Sequence, residues 1–166
     1  MDLCETQTYH FSDDGSIPNN RLPLVVYRYC INQDEAGLRQ LLDANGWGDT
    51  WVNGVYDYHH YHSTAHEFLG VLNGKATLQL GGEDGKVLDV TRGDVLIIPA
   101  GVGHRCIEAG PQFSVMGAYP KGQNWDMRKG KPADRPEVMD NIARVALPVM
   151  DPIYGESGPL KCLWQS

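Results

Sequence analysis

Apolar and polar positions change their period several times along the chain. Residues 1–23 carry the turn formers DDGSIPNN and RLP, and predict a segment that caps or wraps rather than a core element. Residues 24–31, LVVYRYCI, are β-branched and aromatic and predict the first strand. Helical spacing then takes over. Asn32 or Asp34 can cap a helix that runs to about Ala44, with Leu38, Leu41 and Leu42 on one face and Asn45-Gly46 as its stop signal. Such an amphipathic helix belongs on the outside of a sheet.

From Thr50 to Tyr119 the pattern falls to strand length: TWVNGVYDYHHYH, HEFLGVL, KATLQL, KVLDV, DVLIIP, HRCIEA and QFSVMGAY, divided by glycine-containing turns and with no helical period between them. Seven short strands in succession predict an all-β antiparallel sandwich or barrel. Beyond Tyr119 a polar, Gly/Pro-rich connection leads to Pro136, which suits the first turn of a short helix to about Val145, striped by Val138, Ile142 and Val145. The last twenty residues are proline-containing and predict an extended arm anchored by Trp164. No internal repeat is visible. The expected organisation is one structural domain: residues 1–50 packed on a barrel, residues 51–119 forming it, and residues 120–166 as a helix and arm.

Composition narrows the partners. At 166 residues the chain can bury a full core. Its 21 acidic and 14 basic residues give a net charge of -7, and the basic residues are scattered, which argues against nucleic acid or an anionic membrane as a partner. The polar N-terminus has no apolar signal core, and no run approaches the ~18 apolar residues a spanning helix needs, so a soluble cytoplasmic protein is expected. Cys4, Cys30, Cys106 and Cys162 fall into no C-x-x-C spacing, which predicts reduced thiols and neither a zinc ribbon nor a thioredoxin-like site.

Chemistry concentrates between Gly54 and His104. On an extended strand His60 and His62 share a face, as do Tyr56 and Tyr58 before them. Glu67 arrives from the next strand after a bend at Ser63-Thr64. His104 comes from a remote strand, delivered by the turn Pro99-Ala100-Gly101-Val102-Gly103. Three imidazoles and a carboxylate form a ligand set for a first-row divalent metal. Period-2 alternation from His104 points Cys106 the same way, which makes Tyr56, Tyr58 and Cys106 candidates for a pocket wall. His59 alternates away from His60, and the tryptophans are too dispersed for a stacking platform and serve as packing anchors. Glu108 is a weak candidate for a base.

Gly54, His60, His62, Glu67 and Gly74 resemble the first motif of the cupins, G-x(5)-H-x-H-x(4)-E-x(6)-G. Gly93, Pro99, Gly101 and His104 resemble their second motif, G-x(5)-P-x-G-x(2)-H-x(3)-N, except that Glu108 stands at the asparagine position. Longer phrases such as DYHHYHSTAHEFLGV and GAYPKGQNWDMR make nearly the whole chain resemble the YjlB-type single-domain cupins. This resemblance implies a small double-sheet jelly-roll barrel with a short N-terminal and a short C-terminal helix, often homodimeric. It also implies that His60, His62, Glu67 and His104 bind one divalent ion: Fe, Mn, Ni, Co or Zn. The family spacing selects Glu67 over its neighbour His66, which is placed outside or behind the ligands. The function that follows is a metalloenzyme acting on a small molecule at an open coordination site, by oxygenase-type or Lewis-acid isomerase or hydrolase chemistry. The alternative is a non-catalytic module that binds a small ligand or metal.

Overall fold

Ten glycines with positive φ punctuate the chain, and most of them stand at the turns between short antiparallel strands. The computed structural model describes residues 3–166; the first two residues of the expected N-terminal arm lie outside the described residues. The elements in order are β1 (Thr6–Phe11), β2 (Asn20–Tyr27), α1 (Glu35–Ala44), β3 (Trp47–Asn53), β4 (Glu67–Asn73), β5 (Lys75–Leu80), β6 (Lys86–Thr91), β7 (Val95–Ile98), β8 (His104–Ala109), β9 (Ser114–Pro120), α2 (Glu137–Arg144) and α3 (Pro159–Leu163). The strands form a six-stranded sheet, β1-β2-β7-β4-β9-β3, and a three-stranded sheet, β6-β5-β8, all antiparallel. This is the expected all-β, double-sheet jelly roll with short helices. Among the described residues, no helix is long and apolar enough to cross a membrane.

Strands β2, β4 and β7 of the larger sheet are buried on both faces, and the pleat sorts their side chains between two cores. Leu24 and Val26 of β2, Leu69 and Val71 of β4, and Leu96 and Ile98 of β7 turn toward the small sheet, where they meet Leu78, Leu80, Leu88 and Val90. The alternate residues Val25, Tyr27, Phe68, Val95 and Ile97 turn outward, under Leu38 and Leu42 of α1 and under Leu160 and Trp164 of the C-terminal segment. The Asp34 side chain caps α1 by accepting from the Gly37 N–H at 2.8 Å. Strands buried on both sides carry near-continuous apolar runs, which is why LVVY and VLII lack alternation.

Three expectations change here. The wrapping segment contains a strand: β1 alternates exposed and half-buried residues, the signature of a sheet edge with one face covered. The strand expected over residues 24–31 runs instead from Asn20 to Tyr27, because Tyr29 adopts φ 52° and turns the chain out of the sheet. Cys4 and Cys30, expected as free thiols, are joined in a disulfide. The β1–β2 register pairs Thr6 with Tyr27, and continuing it past the strand ends sets Cys4 opposite Tyr29, one residue short of Cys30; the Cα atoms of the two cysteines are 5.7 Å apart. Cys106 and Cys162 are free.

The extended arm is likewise part helix. Pro159 occupies the first turn of α3 after the N-cap Gly158, a position where proline is pre-organised for helix. The arm packs on its own sheet: Trp164 Nε1–H donates to Pro23 O at 2.8 Å, and its indole is buried against His66.

Candidate metal centre

Two strands and one loop bring the four candidate ligands together at one end of the space between the sheets. His104 opens β8 after the Pro99–Gly103 turn, where Gly101 has φ +89° and a Cβ would lie 2.5 Å from Asn19 O. Only glycine fits that approach. His60 is bridged to His104 by two backbone hydrogen bonds, His60 N to His104 O at 3.2 Å and the reverse at 3.0 Å, so their side chains stand opposite on one face, ring centroids 4.1 Å apart. Glu67 is the first residue of β4 and shares its parity with inward-facing Leu69. The regular strand expected through residues 54–62 is absent. Only the bridges at His60 and Tyr61 remain, and Tyr61 pairs outward with Arg128.

All four residues are buried. One ring nitrogen from each of His60, His62 and His104 lies within 4.8 Å of the others. Each Nδ1 faces a backbone carbonyl: His60 with Tyr58 O at 3.1 Å, His104 with Val102 O at 3.2 Å, and His62 with Asp126 O. A carbonyl can only accept, so each Nδ1 carries the hydrogen and each Nε2 is left with its lone pair toward the centre.

Those lone pairs meet a carboxylate. His62 Nε2 lies 3.2 Å from Glu67 Oε2 and His104 Nε2 lies 3.1 Å from Oε1, yet Oε1 has no aligned donor. Lone pair against lone pair is repulsive unless a proton or a cation sits between them. Burial pushes the His60 imidazole down to about 3, with His104 adding to the effect, so His60 is neutral. Burial works against charge on His62 as well, but the Glu67 carboxylate outweighs it and raises the imidazole above its ordinary value. Burial also opposes charge on Glu67, and the contacts with His62 and His104 overcome it and hold the carboxyl well below the usual range. Buried, electron-rich and with hydrogens committed elsewhere, the donor set fits a divalent ion.

A cavity of about 380 Å³ opens on this cluster, walled by Trp51, Leu69, Tyr56, Tyr119, Trp125 and Met127 among others. Tyr56 lines it. Tyr58 does not: it stacks behind Tyr56, centroids 5.0 Å apart, with Lys129 Nζ 4.6 Å from the centre of its ring. Cys106 keeps the inward parity of His104 but is packed in the apolar core opposite Leu78 rather than at the cavity. Glu108 is exposed at the end of β8, away from the site. His66 faces away from the ligands as expected, but inward to the outer core, where its Nδ1 accepts from Ala100 N–H at 2.9 Å. His59 also turns away and pairs with Glu83 at 3.0 Å.

The sequence reading missed four contributors. Tyr119 O–H donates to Glu67 Oε2 at 2.9 Å and accepts from Trp51 Nε1–H at 2.9 Å, a chain that fixes the carboxylate. Burial, reinforced by the Glu67 charge, raises the Tyr119 phenol and keeps its proton on oxygen. Trp125 stacks on Tyr119 with centroids 5.8 Å apart and meets the His62 ring edge at 5.4 Å. Asp126 orients the His62 loop through its carbonyl and through Ser63, whose N–H donates to Asp126 Oδ1 at 2.6 Å. The period-2 run Val115-Gly117-Tyr119 puts Tyr119 on the inward face and could have flagged it. Trp125 and Asp126 lie in an aperiodic connection that carries no such signal.

Gly117 lets the Trp51 indole lie on the sheet: a Cβ there would fall 2.2 Å from the indole ring. Gly117→Ala is expected to displace Trp51, break its bond to Tyr119 and cost about 1–3 kcal/mol as an overpacked site. A shift of tryptophan emission together with urea denaturation checks this; unchanged emission and stability would refute it.

The Cupin domain family matches residues 50–116. Over 161 residues, 96% of this chain and 97% of the relative, the chain is 45% identical to the uncharacterized protein YjlB of Bacillus subtilis (strain 168). Similar solved structures include a DUF861 family protein from Thermotoga maritima, 23% identical over 52% of this chain and 92% of that one, with a TM-score of 0.36. Another is acireductone dioxygenase from Bacillus anthracis with a cadmium ion in its active center, 13% identical over 53% of this chain and 60% of that one, with a TM-score of 0.39.

Proposed function

This chain belongs to the cupins, and from that membership we propose that it holds one divalent first-row metal ion with His60, His62, Glu67 and His104 and acts as a metalloenzyme on a small molecule bound beside it. The observation that carries the reading is the orientation of the three imidazoles: every Nδ1 is tied to a carbonyl, which turns the Nε2 side of each ring to the shared centre, and the donor-free Glu67 Oε1 lies 3.1 Å from His104 Nε2 beside them.

When bound, such an ion supplies a Lewis-acid centre and, for the redox-active metals, a one-electron centre. The chain supplies the rest. Tyr119, braced by Trp51, holds Glu67 Oε2 and leaves Oε1 directed inward. The backbone pair His60–His104 and the Asp126 contacts fix the ring positions before anything binds, so little ordering cost remains. The aromatic walls present a surface for an apolar body.

Elemental analysis of protein purified without added metal tests this reading. Wild type is expected to carry close to one equivalent of a first-row ion, and His60→Ala to carry about a tenth of that or less. Equal metal in the variant and the wild type would remove the four residues from the reading.

A further inference from the structure

The walls of the cavity limit the charge of what it can take. Among the described residues, no Lys or Arg lines it, and Glu67 is its single carboxylate. Lys129 sits over Tyr58, which stacks on Tyr56 and is not part of the lining, and Arg128, next to the lining residue Met127, is engaged by Asp126, Asp134 and Glu137. A divalent ion held by three neutral imidazoles and one carboxylate leaves a single net positive charge. One negative group on a ligand would balance it. A second would lie among indole, phenol and aliphatic surface with no Lys or Arg in the lining to balance it, and an uncompensated charge in such surroundings is strongly disfavoured.

Shape adds to charge. Two exposed aromatic rings flank the imidazoles: Tyr56 beside His60, centroids 5.4 Å apart, and Trp125 beside His62, also 5.4 Å apart. Trp125 is braced from behind by Tyr119, and Leu69 and Met127 complete an apolar wall. At about 380 Å³ the space lies near the small end of the ~300–1,000 Å³ range for small-molecule sites. Flat faces on both sides of the ligand cluster suit a ring with its anionic group toward the imidazoles.

We propose that this cavity selects a monoanionic molecule with a flat apolar body, such as an aromatic monocarboxylate or phenolate, and rejects dicarboxylates and phosphate esters. The proposal rests on the metal site described above. Binding therefore depends on Trp125 for the ligand body and on the site charge for its head.

The test uses the full chain loaded with Zn(II), with bound metal quantified in each sample and affinity measured by calorimetry and tryptophan quenching. The probes are benzoate, phthalate, phenyl phosphate and acetate. Benzoate is expected to bind at least about tenfold more tightly than each of the other three, and Trp125→Ala to weaken benzoate about tenfold at unchanged metal content. Met127→Arg adds a cation to the wall and is expected to shift the ratio toward phthalate. Metal-loaded wild type that binds phthalate or phenyl phosphate as tightly as benzoate, or binds none of the probes, overturns the selectivity while leaving the metal site standing. Protein that takes up no Zn(II) overturns the metal site and the selectivity with it.

Discussion

Stripping the metal with a chelator is expected to lower the melting temperature by about 8–16 °C, and the same treatment is expected to leave His104→Ala unmoved. The four proposed ligands come from the loop at residues 60–62, the start of β4 and the start of β8, so an ion held by them would tie together both sheets. A ligand that binds only the folded state stabilises it by about 4.1 kcal/mol at a thousandfold excess over its dissociation constant. For a chain of this length each kcal/mol moves the midpoint by roughly 2–4 °C. The opposing effect is the apo cluster's own arrangement: the His62–Glu67 contact and the Tyr119 hydrogen bond compensate part of the buried charge when no ion is present. That compensation is incomplete, because Glu67 Oε1 has no donor and the His60 ring stays neutral. Calorimetric melting of wild type and His104→Ala, each with and without chelator, reads the difference directly. Coincident wild-type curves would show that no ion contributes to the fold, and an equal chelator shift in His104→Ala would place the ion elsewhere.

The difference in legibility between this cluster and its surroundings has a physical origin. His60, His62, Glu67 and His104 are separated by fixed spacings because a two-residue pleat and a glycine turn deliver them, and both leave marks in the sequence. The same parity separates Glu67 from His66, which faces the opposite core beside Trp164. Trp125 and Asp126 belong to a connection whose path is set by tertiary contacts to Ser63, Thr64 and Tyr61, and no local period encodes those contacts. The disulfide was hidden for a related reason. Its proximity follows from the register of β1 on β2, and the polar alternation TQTYHF of an edge strand resembles a solvated arm. Proline misled in the opposite direction: Pro159 starts a helix rather than breaking one.

Asp151→Ala is expected to cost about 3–5 kcal/mol without emptying the metal site, because a fully buried carboxylate there fastens the C-terminal segment to the outer face of β2. Asp151 accepts from Ile153 N–H at 2.8 Å, Tyr154 N–H at 3.0 Å and Leu160 N–H at 3.3 Å, and from the Tyr27 hydroxyl. Tyr27 O–H also accepts from Leu160 N–H at 3.1 Å, so one buried pair satisfies three backbone donors. Burial and the adjacent carboxylate both raise the Tyr27 phenol, which keeps the proton it donates. Truncation to alanine strands those donors out of reach of water, and each orphaned donor costs about 1–3 kcal/mol. Asparagine can still accept from Ile153 and Tyr154 but sets its amide hydrogens against Leu160 N–H, so Asp151→Asn should fall between alanine and wild type. Tyr27→Phe removes one partner and should cost about 1–3 kcal/mol. Urea denaturation orders the variants. The proposed metal ligands lie on the opposite face of the large sheet from this anchor, so folded Asp151→Ala should retain wild-type metal content. A loss below about 1 kcal/mol for Asp151→Ala would show that the segment is held by Leu160 and Trp164 packing alone.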